Sequence, residues 1–239
     1  MFKALKKFIK AAVFSVVKPP PNLGKNCFSQ AGEDVIMKFL FDGKKITTPT
    51  YLELGVFLPD IHNNTYLFYN NGSTGVLVDA DDTYAERIKE VRPKDKFINV
   101  GVGSEGSAKA DFYIFEDKAL STFDKGEAML RDTIGTHKII AVKEIPLKSI
   151  NRIIEENFAT TPDLLSIDVE GLDLSILMTL DFERFPIPVI CTETCTYSEN
   201  HIKPKDNRIA EFMLSKDYFV YADTYINTIF VRNKWFFSE

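Results

Sequence analysis

The 239-residue chain predicts one α/β domain: a mostly parallel, doubly wound sheet closed by a C-terminal antiparallel hairpin. Three observations carry this. Short β-prone runs at Thr50–Leu54, Thr74–Val78, Lys96–Val100, Leu164–Ile167 and Pro188–Glu193 are each followed by a glycine or end in or beside an acid. Stretches with helical spacing alternate with them. The last two β-prone runs, Tyr218–Ala222 and Asn227–Arg232, are joined by a short polar turn, as a hairpin requires.

Residues 1–21 form a separate N-terminal unit. Phe2, Leu5, Phe8, Ile9, Ala12, Val13 and Val16 make one apolar helical stripe, and Lys3, Lys6, Lys7 and Lys10 fill the other side. Met1–Val17 is too short and too charged to span a bilayer, and no small-residue cleavage site follows it. It is expected either to lie on anionic lipid at the inner face of the membrane or to pack on its own domain or a partner chain. Pro19, Pro20 and Pro21 then make a stiff spacer. The domain proper occupies residues 22–239.

Composition bounds the function. Hydrophobic residues at 45% and charged residues at 26% suit a globular core. The net charge of -5 argues against nucleic acid as a partner, because phosphate affinity needs clustered Lys and Arg. Cys27, Cys191 and Cys195 form no C-x-x-C pair and are odd in number, so neither a zinc site nor a disulfide framework is expected, and the compartment reads as cytoplasmic.

Within the domain, Ser29–Phe41 predicts a capped helix ahead of the first strand. Its early polar residues either reach the site or simply cap. The first chemical centre is Tyr51-Leu-Glu-Leu-Gly-Val-Phe-Leu-Pro-Asp60, a strand and turn leading to a helix capped at Asn63-Asn64-Thr65. Ligands of parallel sheets lie beyond the carboxyl ends of the strands, so Gly55 allows a close backbone approach and Glu53 offers an acceptor. An acceptor suits a cationic ligand with donor groups. The G-x-G-x-x-G fingerprint of pyrophosphate cofactors is absent. S-adenosylmethionine, cationic and free of phosphate, fits these demands.

The second run ends at Asp79, followed by Ala80. A carboxylate there, about 20 residues past the glycine turn, accepts from ribose hydroxyls in nucleotide-binding α/β folds. Asp82 reads as the cap of a helix Thr83–Val91. The third run exits through Gly101-Val102-Gly103, a flat slot for an adenine ring. Residues 108–146 are expected as an insertion forming a lid or substrate wall, with strands at Ala110–Phe115 and Lys138–Ile145 and no strong period over Ser121–Thr136.

The helix Ser149–Phe158 leads to the second centre, Asp163-Leu-Leu-Ser-Ile-Asp-Val-Glu-Gly-Leu-Asp173. Asp168 and Glu170 project from its strand, and Gly171 permits the turn into a helix over Leu172–Leu180. Glu193 ends the next strand and is expected in the same crevice. Asp168 and His62 lead as catalytic bases, with Glu170 and His201 behind them. A metal-assisted variant would use Asp168, Glu170 and Glu193 as oxygen ligands for a divalent ion. No histidine or cysteine cluster supports one, so no metal is assigned.

YLELGVFLPDIHNNTYLFYNNG, GVLVDADD, NVGVGSEGS, DLLSIDVEGLDLSIL and PVICTE together resemble the FkbM-like family of class I S-adenosylmethionine-dependent methyltransferases, from about Ser29 to about Val231. Two departures stand out: Ser166 occupies a position that is lysine in many relatives, and Glu53-Leu-Gly-Val-Phe57 replaces an Asp-x-Gly-Ala-Asn run. The resemblance implies a Rossmann-like sheet. It also implies that Glu53 and Gly55 belong to the first cofactor motif, that Asp79 binds ribose, and that Asp168 and Glu170 stand near cofactor and acceptor. With Ala80, Gly101, Val102 and Asp168 added as cofactor contacts, the expected activity is O-methylation of a sugar or glycan hydroxyl, in surface polysaccharide or natural-product biosynthesis. The alternatives are a nicotinamide-dependent nucleotide-sugar oxidoreductase and an inactive membrane-associated binding protein of the same fold.

Overall fold

The structure is a computed structural model that describes residues 26–238 except 105, 107, 135, 136 and 196–204. The N-terminal unit and His201 therefore lie outside the described residues.

The main sheet has seven strands: β1 (Tyr51–Leu54), β2 (Gly75–Asp79), β3 (Lys96–Asn99), β7 (Leu164–Ile167), β8 (Val189–Glu193), β9 (Tyr218–Asp223) and β10 (Asn227–Arg232). Their order is β3-β2-β1-β7-β8-β10-β9. The first five run parallel, and β10 is antiparallel to both β8 and β9. The α/β sheet and its closing hairpin are thus borne out. The chain winds outward from β1 to β3, then returns to place β7 on the other flank of β1. That reversal opens a crevice at the carboxyl ends of β1 and β7, where open α/β sheets bind ligands.

β1, β7 and β8 are buried along their whole length, which explains their near-continuous apolar runs. On one face Leu52, Leu54, Leu165 and Ile167 pack with Ile153 of α5 (Ile150–Asn157), Leu177 of α6 (Asp173–Thr179) and Met213 of α7 (Asn207–Leu214). On the other, Tyr51, Leu77, Leu164 and Cys191 pack with Met37, Leu40 and Phe41 of α1 (Glu33–Gly43). Successive strand residues alternate between these two cores because their side chains point to opposite faces.

Helix starts differ from expectation by a few residues. α1 begins at Glu33, while Ser29 folds back so that its Oγ accepts from Gly32 N at 3.1 Å and Asp34 N at 3.3 Å. Asp81, not Asp82, caps the turn after β2 by accepting from Thr83 N at 3.0 Å, because Asp82 already lies within the first turn. α2 (Tyr66–Asn70) and α3 (Ala85–Val91) follow β1 and β2.

Residues 109–148 build a second layer. β4 (Gly101–Val102), β5 (Lys109–Phe115) and β6 (Ile139–Lys148) form a three-stranded sheet in the order β4-β6-β5. A helix, α4 (Lys125–Ile134), fills the stretch without clear period. Its pattern is inverted: Met129 and Leu130 are exposed while Arg131 is 1% exposed.

Candidate active site

The crevice at the strand reversal deepens into a cavity lined by Gly55, Phe57 and His62 after β1, by Asp79, Ala80 and Asp81 after β2, and by Gly101 and Val102. Asp168, Val169 and Glu170 after β7 close one side. The second layer closes another through Phe112, Lys118, Thr122 and Phe123. Gly55, His62, Asp79, Ala80, Gly101, Val102, Asp168 and Glu170, all named from the sequence, stand on this one surface.

Gly55 has φ +81°, and a Cβ built on it would lie 1.7 Å from the Asp168 carbonyl oxygen. Only glycine lets the β1 and β7 exits meet here. The close approach expected toward a ligand is thus also an approach between two backbones. Gly101 serves similarly, since a Cβ there would lie 2.4 Å from the Phe123 ring.

Asp79 holds the β1 exit in shape. Its Oδ2 accepts from the amides of Val56 at 2.8 Å and Phe57 at 2.9 Å, and its Oδ1 accepts from Asp81 N at 2.8 Å. Phe57 has φ +48°, a conformation that persists in a bulky residue when its surroundings over-determine it. Burial pushes the Asp79 carboxyl above the ordinary aspartate range, against the opposing pull of those three amides. A carboxylate has about four acceptor positions, so one remains for a hydroxyl. Asp81 is buried beside it. Burial pulls its carboxyl upward, but the Thr83 hydroxyl and amide and Lys118 at 3.3 Å outweigh this and hold it below the usual value.

Glu53 is a correction. It is 3% exposed and does not line the cavity. Its Oε1 accepts from Asn63 Nδ2 at 2.9 Å, and its Oε2 accepts from Thr65 Oγ1 at 2.7 Å and Arg92 Nη1 at 3.2 Å. Arg92, fully buried, also pairs with Asp95 at 2.7 Å and lies over the rings of Tyr51 and Tyr69. Strand alternation turns Glu53 under the β1 exit, where it anchors the loop carrying His62. Burial raises its carboxyl despite the Arg92 charge.

Asp168 and Glu170 are half-buried, and one carboxylate oxygen from each lies within 4.8 Å of the other and of one from Glu193. Glu193 therefore joins this cluster, although it does not itself line the cavity. Glu170, at φ +55°, presents its Oε2 to Arg131 Nη2 at 3.0 Å. Asp173, at the start of α6, is 4% exposed and accepts from Thr192 Oγ1 at 3.2 Å. Burial, reinforced by Glu193, pushes its carboxyl up to about 7.

Arg92, Arg131, Phe123 and Lys118 escaped the sequence reading. For Arg131 the available signal was a lone arginine in an otherwise unpatterned stretch.

The model of the methyltransferase FkbM domain matches residues 49–220, well over half of the chain. A search among curated proteins returned no match. Among solved structures, the O-methyltransferase from Bacillus cereus in complex with SAH is 11% identical with TM-score 0.44, over 95% of this chain and 89% of that one. The 1,6-didemethyltoxoflavin-N1-methyltransferase of Burkholderia thailandensis is 10% identical with TM-score 0.40, over 84% and 76%. Likeness at this level assigns no residue and no substrate. The family match covers both chemical centres, from Glu53 to Glu193, and on it the chain belongs to the FkbM methyltransferase domain family, whose methyl donor is S-adenosylmethionine.

Proposed function

We propose that the protein is an O-methyltransferase acting on a hydroxyl of a sugar, glycan or similar polyhydroxylated acceptor, with Asp168 and His62 as the groups that handle the hydroxyl proton. The observation that carries this reading is the union, on one cavity wall at the strand reversal, of Gly55, Asp79, His62 and Asp168.

The residues fit the cofactor. Asp79, Asp81, Asp168 and Glu170 line the cavity against one lysine, Lys118, so the wall favours a cation and disfavours phosphate. Asp79 has an acceptor position for ribose, and Gly101, Val102 and Phe123 offer a flat apolar wall for adenine. Asp168, beside Gly55, is placed for the ammonium end. S-adenosylmethionine supplies a methyl group on a positively charged sulfur. The chain's own task is to hold the acceptor oxygen in line with that methyl, which can lower the barrier by roughly 7 to 11 kcal/mol, and to take up the proton. His62 suits the second task because it stands exposed at the rim, with φ +53°, on the loop that Glu53 and Arg92 anchor.

A metal-assisted version would draw on Asp168, Glu170 and Glu193, and activity lost to a chelator and restored by magnesium would favour it. The nicotinamide-dependent reading gains nothing from the family match or from the missing glycine fingerprint. The polysaccharide setting, a cytoplasmic location and lipid contact through residues 1–17 belong to the same proposal. Among the described residues no helix is long and apolar enough to cross a membrane.

The test is mass spectrometry of sugars and polysaccharides incubated with the protein and S-adenosylmethionine, looking for the increment of one methyl substitution. Asp168→Asn should lower turnover by roughly 10²- to 10⁴-fold. Transfer to nitrogen acceptors alone, or unchanged turnover in Asp168→Asn, would overturn the reading.

A further inference from the structure

The turn after β7 is held from outside the main sheet. Glu170 adopts φ +55° and is followed by Gly171 at φ +100°, so two left-handed residues stand directly beyond Asp168 and Val169. A left-handed residue with a side chain costs roughly 1 to 2 kcal/mol and persists where its surroundings fix it. Two contacts to Glu170 come from the insertion. Thr122 Oγ1 donates to the Glu170 carbonyl at 3.0 Å, and Arg131 Nη2 donates to its Oε2 at 3.0 Å.

Arg131 is itself set in place. It is 1% exposed, its Nη1 donates to the Leu120 carbonyl at 2.7 Å, and Glu127 one turn earlier lies 3.8 Å from its Nε. A guanidinium withdrawn this far from water and hydrogen-bonded to the Glu170 carboxylate has a geometric purpose beyond surface solubility. The same insertion meets the cavity at two more exits: Phe123 rests against Gly101, and Lys118 pairs with Asp81.

We propose that Arg131 is a positioning residue: by gripping Glu170, it fixes the turn that aims Asp168 at the methionine end of the cofactor, so the insertion shapes the reaction site as well as walling it. This rests on the assignment of Asp168 to that end of the ligand. The effect is expected to be local, because Asp79 at the adenosine end is held by the amides of Val56, Phe57 and Asp81 rather than by the Glu170 turn.

Two probes separate these ends. S-adenosylhomocysteine carries the amino-acid arm, and 5′-methylthioadenosine lacks it. Calorimetry on the full chain should show Arg131→Met binding S-adenosylhomocysteine roughly tenfold or more weakly, the usual scale for losing a charged hydrogen bond, with 5′-methylthioadenosine within about twofold of wild type. Arg131→Lys should recover most of the loss. Arg131→Met combined with Glu170→Gln should be no worse than the weaker-binding single variant, since both cut one contact. Should Arg131→Met fail to fold, Glu170→Gln, which cuts the same contact from its other side, serves for the same comparison. Equal weakening of both probes, or unchanged S-adenosylhomocysteine affinity, overturns the proposal. A wild-type chain that binds neither probe instead overturns the cofactor assignment beneath it.

Discussion

Glu53 shows how one side chain can hold a site without touching its ligand. It anchors the loop between β1 and α2 through Asn63 and Thr65, and Arg92 supplies the balancing charge. Removing one member of a buried pair strands the other, so Arg92→Met should cost about 3 to 5 kcal/mol in urea unfolding. A loss below about 1 kcal/mol would contradict this account of the network. Asp173 makes the opposite kind of statement. Its folded carboxyl titrates at about 7, against roughly 4 in an unfolded chain, so the fold binds this proton more tightly than the unfolded state does. Stability from this group is fully present below about pH 4 and is lost as pH rises through about 7, by up to about 4 kcal/mol. Asp173→Asn should therefore gain on wild type between pH 4.5 and pH 8, and a gap that stays constant across that range would contradict the shift.

The elements were legible where local rules and global packing agree. β1, β7 and β8 are short apolar runs because they are central strands, and the helix expected from Ser149 forms with Ser149 capping α5 by accepting from Arg152 N at 3.3 Å. Ser149→Ala should cost about 1 kcal/mol by thermal or urea unfolding, with the fold unchanged. Legibility failed where burial inverts polarity. α4 exposes Met129, Leu130 and Ile134 and buries Arg131, so the apolar side of its helical period faces away from the core. The cavity-facing roles of Gly55, Asp79, Gly101 and Asp168 followed from their places at strand ends. Glu53 was misplaced because an acid in a strand faces whichever side alternation dictates, and alternation alone does not reveal a buried arginine waiting on that side. Such partners arrive from far along the chain: Arg92 lies 39 residues after Glu53, and Arg131 lies 39 before Glu170.

At the scale of the whole molecule, the strand order creates the site. Because β7 returns beside β1, two glycine-bearing exits meet at Gly55 and Asp168, with Asp79 braced against the first of them. The second layer built by β4, β5, β6 and α4 then covers the opening from one side. A crevice so placed, with carboxylates outnumbering cations on its wall, is suited to a positively charged nucleoside. A crystal structure of the full chain with S-adenosylhomocysteine tests this most directly. The expected density places the ribose hydroxyls on Asp79, the adenine against Gly101 and Val102, and the amino-acid arm beside Gly55 and Asp168. Ligand bound away from the β1 and β7 exits, or an empty crevice at saturating ligand, would contradict it.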